Sequence, residues 1–213
     1  MRVGEQLTVC DGRGTDCTCV IDSMTDEEVL LQVLSRTPGE SEPDVKVTLY
    51  QGYPKGDKLE TVIEKAVELG AFAIVPVLTE RSVARPDSKS AEKKHQRWQR
   101  HALEAAKQCG RSIIPQVEPL AKMEDMPSLL SRHELCIFCY ELGGQPLTEI
   151  IGASKARSIA VFIGPEGGIS SAEAQMLEAS GAIPATLGKR ILRTETAPIA
   201  AIAAIMCITG NLQ

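Results

Sequence analysis

The chain has 213 residues, 43% of them apolar and 24% charged, with a formal net charge of −5. These proportions describe an ordinary globular protein, long enough for one sizeable core or for a main domain with a small satellite. No apolar run reaches the roughly 18 residues of a membrane span, and the start, Met1-Arg-Val-Gly-Glu5, lacks the apolar centre of a secretory signal. The expectation is a soluble, cytoplasmic protein with no membrane partner.

Residues 1–43 read as a small β-domain. Gln6–Cys10 and residues 17–21 flank Asp11-Gly-Arg-Gly14, a hairpin-like connection. Residues 28–34 give a third strand, and Thr37-Pro-Gly-Glu-Ser-Glu-Pro43 is a turn-rich linker. From residue 45 onward strands alternate with helices. Residues 45–49 alternate apolar and polar side chains, and Leu59, Val62, Ile63, Ala66 and Leu69 mark one face of a helix that Gly70 ends. Residues 71–78 form an apolar strand. A long helix over residues 91–108 sets Trp98, Ala102, Ala105, Ala106 and Cys109 on one side and Lys93, Arg97, Arg100, Glu104 and Lys107 on the other. Later strands fall at 135–140, 159–163 and 183–187. Residues 199–208 make a helix that is apolar all round, with Thr196 as N-cap and Pro198 in the first turn. Such a helix must be buried, in the core or in a subunit interface. The alternation predicts an α/β domain over residues 44–213 with a mainly parallel sheet.

Charge is unevenly spread. From Arg85 to Arg111, eight basic residues (85, 89, 93, 94, 97, 100, 107 and 111) stand against three acidic ones, a local +5 in a chain that totals −5. A phosphate-facing patch and a solvated helix face both account for this. Seven cysteines lie at 10, 17, 19, 109, 136, 139 and 207. Cys17-Thr-Cys19 and Cys136-Ile-Phe-Cys139 have the look of two halves of a metal site. The second pair, however, sits inside an apolar strand, where thiols behave as small hydrophobes, so reduced core cysteines and no metal are expected.

Two strand-end loops carry the chemical signal. In Phe162-Ile-Gly-Pro-Glu-Gly-Gly-Ile-Ser170 a strand runs into three glycines and then a helix whose start has a capping box, Ser170 with Glu173. Glycines there let the backbone approach a ligand, or simply make a tight turn. The loop is neither a Walker loop nor GxGxxG. In Leu187-Gly-Lys-Arg-Ile-Leu-Arg-Thr-Glu-Thr-Ala197 three basic residues and a glutamate are squeezed between a strand and an apolar helix, a placement that suits the lining of a cleft.

Gly164-Pro-Glu-Gly-Gly168 together with the 187–197 segment resembles the paired signature of the 16S ribosomal RNA uridine-N3 methyltransferases, of the SPOUT class. Lys55-Gly-Asp-Lys58, Lys65-Ala-Val-Glu-Leu-Gly70, Thr79-Glu-Arg-Ser82, Lys93-Lys-His-Gln-Arg-Trp98 and Glu104-Ala-Ala-Lys-Gln-Cys-Gly-Arg111 are similar to family blocks in the same order, so the likeness runs through nearly all of residues 45–213. The resemblance implies S-adenosylmethionine-dependent methylation of N3 of one uridine in 16S ribosomal RNA, free or in the small ribosomal subunit. It also implies a SPOUT methyltransferase domain with a C-terminal trefoil knot, an exception to the rule against threaded chains. An obligate homodimer and a small PUA-like, RNA-binding β-domain in front belong to the same expectation. Family members usually begin further upstream, so the domain over residues 1–43 is expected to be partial.

By resemblance the cofactor pocket takes Leu78 and Thr79 from one strand end. It takes Ile163, Gly164, Pro165, Glu166, Gly167 and Gly168 from the first loop, and Leu187, Gly188, Ile191 and Leu192 from the second. Uridine N3 is a weak acid that must lose its proton before it attacks, so a cation that stabilises the uracil anion helps. Arg193 is the candidate for that role and Glu195 for orientation or proton acceptance; a salt bridge between the two that pins the loop is the structural alternative. Lys93, Arg97, Arg100, Arg111, Lys189 and Arg190 are the candidate RNA contacts. Ribose 2′-O-methylation is a rival enzyme reading, although those families follow the Gly-x-Glu-Gly loop with a Ser-Leu-Asn segment absent here. An inactive RNA-binding assembly factor is the rival from another class. An aromatic content of 3% speaks against a stacking-based binder of single strands.

Overall fold

The computed structural model describes residues 1–212, with Ser88 and Lys89 described by their backbone alone, so the side chain of Lys89 in the basic stretch lies outside the described set. The chain forms two compact units, Met1–Glu42 with Ala106–Ile114, and Pro43–Ala105 with the residues from Pro115 onward.

The first unit is built on an antiparallel sheet of β1 (Gln6–Cys10), β2 (Thr15–Met24) and β3 (Val29–Pro38), in that order. In the β1–β2 turn, Asp11 Oδ1 accepts hydrogen bonds from the amides of Arg13 (2.7 Å) and Thr15 (3.0 Å), an Asx turn that fixes the reversal. β3 runs further than its apolar pattern indicates, because Thr37 and Pro38 still pair with Asp16 and Thr15 and draw the first two residues of the expected linker into the sheet. Arg111 requires a correction. It is 5% exposed, and its guanidinium donates to Glu42 Oε2 from Nη2 at 2.6 Å and from Nε at 3.2 Å. A desolvated, paired guanidinium is not offered to a phosphate.

The second unit contains β4 (Lys46–Gly52), α1 (Lys58–Glu68), β5 (Ala73–Leu78), α2 (Ser88–Cys109) except its last four residues, which belong to the first unit, β6 (Gln116–Val117) and β7 (Ala121–Lys122). A 3₁₀ turn (Met123–Asp125) then leads into α3 (Met126–Leu130), β8 (Leu135–Cys139), β9 (Gln145–Pro146) and α4 (Leu147–Ala153). The chain finishes with β10 (Ser158–Ile163), α5 (Ser171–Ala179), β11 (Ile183–Thr186) and α6 (Ala197–Ile208). The strands pair in parallel in the order β6-β5-β4-β10-β8-β11-β9, with β7 also on β5. The central strands are near-continuous apolar runs because helices cover both faces of a parallel sheet. Val47, Leu49, Ile137, Phe138, Val161 and Phe162 are accordingly fully buried.

Helix ends follow local chemistry. α1 buries Leu59, Val62, Ile63, Ala66 and Val67. It stops in a Schellman motif, with Gly70 N–H donating to Val67 O (3.0 Å) and Ala71 N–H to Ala66 O (2.9 Å). Gly70 has φ +89°, which a side chain rarely tolerates. At α5, Ser170 Oγ accepts from Glu173 N and Glu173 Oε2 accepts from Ser170 N at 2.9 Å, the reciprocal box read from the sequence. Thr196 departs from expectation: it sits before α6 in a right-handed helical conformation (φ −90°, ψ −38°) with no side-chain cap bond. A capping hydroxyl needs an extended residue to swing back over the first turn. Here the turn is entered one step earlier, through the amides of Thr196 and Ala197, both bonded to Arg193 O at 2.9 Å.

Candidate functional site

β10, β8 and β11 are adjacent and parallel, so their carboxyl ends open side by side, the usual place for a ligand in such sheets. Around them lies a cleft of about 590 Å³. Its walls are Cys139, Tyr140 and Glu141 after β8, Ile163, Gly164, Pro165, Glu166, Gly167 and Gly168 after β10, and the segment from Ala185 to Thr194 that leaves β11, with Ala197. Leu187, Gly188, Ile191, Leu192 and Arg193 are therefore on the cleft, as are Lys189 and Arg190, which the sequence assigned to RNA.

Leu78 and Thr79 are not among the residues that line this cleft. They follow β5, which lies beyond β4 from β10 in the sheet. Thr79 is buried and hydrogen-bonded to Ser82 Oγ (3.0 Å). The segment after β5 instead backs the first loop from outside. Arg81 Nη1 donates to Gly167 O at 2.9 Å, and Glu80 N–H to Glu173 Oε1 at 2.7 Å.

The glycines have distinct reasons. Gly168 has φ +71°, and a Cβ there would lie 2.1 Å from Glu141 Oε1; a Cβ on Gly167 would lie 2.9 Å from Arg81 Cβ. At Gly167 a side chain would thus meet Arg81, and at Gly168 the carboxylate end of the exposed Glu141 side chain would have to give way. Gly188 has φ +108° but open space around it, so its backbone angle alone calls for glycine.

Two sets of contacts tie the cleft loops together. Thr194 Oγ1 donates to Gly164 O at 2.9 Å and accepts from Gln51 Nε2 at 3.1 Å, joining the second loop to the first and to β4. Lys58 Nζ, at the start of α1, lies 3.1 Å from Glu166 Oε1 and 3.2 Å from Glu195 Oε2. A hydrogen bond from its own backbone amide, aided by Lys58, holds the Glu195 carboxyl below the usual carboxylate range. A carboxylate so held is a poor proton acceptor. The ion-pair partner of Glu195 is thus Lys58 rather than the Arg193 of the structural alternative, whose charge acts on Glu195 only from further away. Arg193 is exposed on the cleft with no ion pair or side-chain hydrogen bond among the described residues. In the same stretch the amides of Lys189 to Arg193 donate to no protein acceptor among the described residues.

Away from the cleft, Lys93 and Arg100 are exposed on α2, whereas Arg97 is engaged by Glu60 at 2.6 Å. Residues that sequence reasoning missed are Cys139, Tyr140, Glu141 and Thr194 on the cleft and Lys58 behind it. Burial pushes the Cys139 thiol up to about 12, so it is an inert wall rather than a nucleophile. Chemically, the cleft offers unpaired amides, carboxylates at Glu141 and Glu166, and cations at Lys189, Arg190 and Arg193, which suits an elongated ligand carrying both signs of charge.

Residues 41–206 match the family described as RNA methyltransferase domain. The chain is 36% identical over 219 residues to ribosomal RNA small subunit methyltransferase E of Bacillus subtilis, covering 100% of this chain and 86% of that protein. It is 33% identical to the protein of the same name from Mycobacterium bovis, covering 99% and 81%. Its fold is similar to the crystal structure of a ribosomal RNA small subunit methyltransferase E from Neisseria gonorrhoeae bound to S-adenosylmethionine, with a TM-score of 0.85 and 32% identity over 97% of this chain and 84% of that one.

Proposed function

The chain belongs to the RNA methyltransferase family, and we propose that it transfers a methyl group from S-adenosylmethionine to N3 of a specific uridine in 16S ribosomal RNA, in the cytoplasm. The observation that carries this reading is the unpaired Arg193 set in a glycine-rich cleft at three adjacent strand ends. The residues fit the cofactor. Its carboxylate can meet the basic side of the cleft, its ammonium and sulfonium the acidic side, and its adenine the unpaired amides of the 189–193 segment. When bound, the cofactor supplies an electrophilic methyl carbon on sulfur.

The chain's own residues then have the following tasks. The first loop, held by Arg81 at Gly167 O and by Thr194 at Gly164 O, gives a backbone against which the ligand lies. Arg193 stabilises negative charge on the uracil as N3 loses its proton, an interaction worth most in the transition state. Glu195, held as an ion by its own backbone amide and by Lys58, orients the Arg193 segment rather than accepting the proton.

The knot, the PUA-like domain and the dimer complete the proposal. The 187–197 segment leaves β11, beyond β8, and reaches back past β8 and β10 to bond Gly164 and Gln51, a return that supports a trefoil knot. The first unit is read as a partial PUA-like module over residues 1–43 that holds RNA, with the methyltransferase domain over 44–213. Exposed Lys93, Arg100, Lys189 and Arg190 supply phosphate contacts. The test is to incubate the protein with isotope-labelled S-adenosylmethionine and unmodified 16S ribosomal RNA or small subunits, then digest the RNA for mass spectrometry. One labelled N3-methyluridine is expected; label on a ribose, or none in either substrate, overturns the reading.

A further inference from the structure

Lys58 lies outside the cleft, yet it is the ionic contact shared by both cleft loops. It is the first residue of α1, so its backbone is fixed by a helix whose apolar face is buried. Glu166 belongs to the loop after β10, and Glu195 to the loop after β11. These loops are far apart in sequence and from different strands, and a single ammonium meets a carboxylate from each. Lys58, Glu166 and Glu195 are only 31%, 23% and 34% exposed, so solvent screens the contacts less than at an open surface. The Lys55 amide adds a longer hydrogen bond to Glu166 Oε2, at 3.4 Å. Glu195 in turn is two residues from Arg193, with Thr194 between them bonded to Gly164.

We propose that Lys58 is a positioning residue for methyl transfer, a clamp that sets the Arg193 loop against the glycine loop. The proposal rests on the cofactor and methyl-transfer reading above. Charge explains how the clamp works. With the ammonium in place, two carboxylates share one cation; without it, two uncompensated negative charges remain on the two loops that must close on the ligand, and like charges repel. The charge state agrees: the carboxylates of Glu166 and then Glu195 hold Lys58 above its ordinary value, so it stays charged throughout the working range.

This clamp has a signature that a merely stabilising bridge lacks. Lys58→Ala is expected to weaken S-adenosylmethionine binding by roughly three- to tenfold in calorimetry, and to slow single turnover at saturating cofactor by a similar factor. Lys58→Arg should restore most of both. Adding Glu195→Gln to Lys58→Ala should recover part of the lost affinity, because it removes one of the two repelling charges at a residue that does not line the cleft. Amide hydrogen exchange of the ligand-free protein should rise in peptides covering 164–168 and 189–196 in Lys58→Ala, and fall back in Lys58→Arg. Wild-type cofactor affinity and turnover in Lys58→Ala overturn the clamp. So does a lowered melting temperature with both of these unchanged, or a double variant worse than Lys58→Ala. Should the wild-type protein bind no S-adenosylmethionine, the cofactor reading fails on its own, and exchange still decides: unaltered protection of the two loops in Lys58→Ala overturns the clamp.

Discussion

At the scale of single residues the site depends on one glycine and one arginine for different reasons. Gly168 combines a left-handed backbone, φ +71°, with a carboxylate where its side chain would be. Alanine there costs about 1–2 kcal/mol in backbone strain and also pushes Glu141 off the loop, so Gly168→Ala should lower the melting temperature and abolish cofactor binding together. Gly188→Ala is the matched control: φ is +108°, but the space is open. It should lose stability with a much smaller effect on affinity. Calorimetry and thermal unfolding of the two variants side by side check this, and equal affinity losses would contradict it. Arg193 is the opposite case, since among the described residues its guanidinium makes no ion pair or hydrogen bond and only a longer-range attraction to Glu195. Arg193→Ala should leave stability and cofactor affinity nearly unchanged while slowing methyl transfer by about 10²- to 10³-fold. Raising the pH should return part of that rate, because the uracil then ionises unaided. Arg193→Lys should rescue only partly, as a point charge cannot replace the planar fork. Single-turnover rates over a pH series, with affinity measured alongside, decide the matter.

At the scale of elements, α2 shows what a charge pattern conveys and what it does not. The sequence showed one basic face, but the fold divides it: Lys93 and Arg100 are exposed, Arg97 is drawn down to Glu60 on α1, and Arg111 is buried on Glu42. Replacing Lys93 and Arg100 with alanine should weaken RNA binding whatever the sequence and reduce the salt slope by about one per lost phosphate contact. Arg97→Ala should change the slope less and remove a surface ion pair worth at most about 1 kcal/mol. A filter-binding series across salt concentrations distinguishes the two. The same division governs how much was legible beforehand. Strands such as 159–163 and helices such as α1 announce themselves by apolar periodicity and end signals. The two-residue strands β6, β7 and β9 and the short helices α3 and α4 do not, because they exist only through their neighbours. Both glycine-bearing loops stood out by composition. Cys139 to Glu141 did not, since only the sheet order β10-β8-β11 brings that strand end to the cleft. Lys58 was equally hidden: nothing in one sequence says that its ammonium meets carboxylates 108 and 137 residues away.

At the scale of the whole molecule, α6 bears on assembly. It is apolar all round, yet only one side is used within the chain. Ala197, Pro198, Ala201, Ile202, Ile205 and Met206 are buried, where α6 packs on α1, α4, β4 and β10. The opposite side carries Ile199, Ala203 and Cys207, and Ala200, Ala204 and Ile208, two rows at helical spacing that are half-buried or exposed and hold no charge. Ile191 on the cleft segment is 85% exposed as well. Apolar surface contributes roughly 25 cal/mol per Å² when removed from water, and a symmetric pairing of this face uses every such residue twice. The proposed homodimer is therefore expected to meet across α6, and sedimentation should give twice the chain mass of 22.9 kDa. Ala203→Glu places two like charges across the symmetry axis while leaving the buried side of the helix untouched. It should yield a folded monomer by sedimentation and circular dichroism, at concentrations where the wild type is fully dimeric. If the wild type itself sediments as an active monomer, or if Ala203→Glu stays dimeric, the α6 interface is wrong and the exposed apolar rows need another partner.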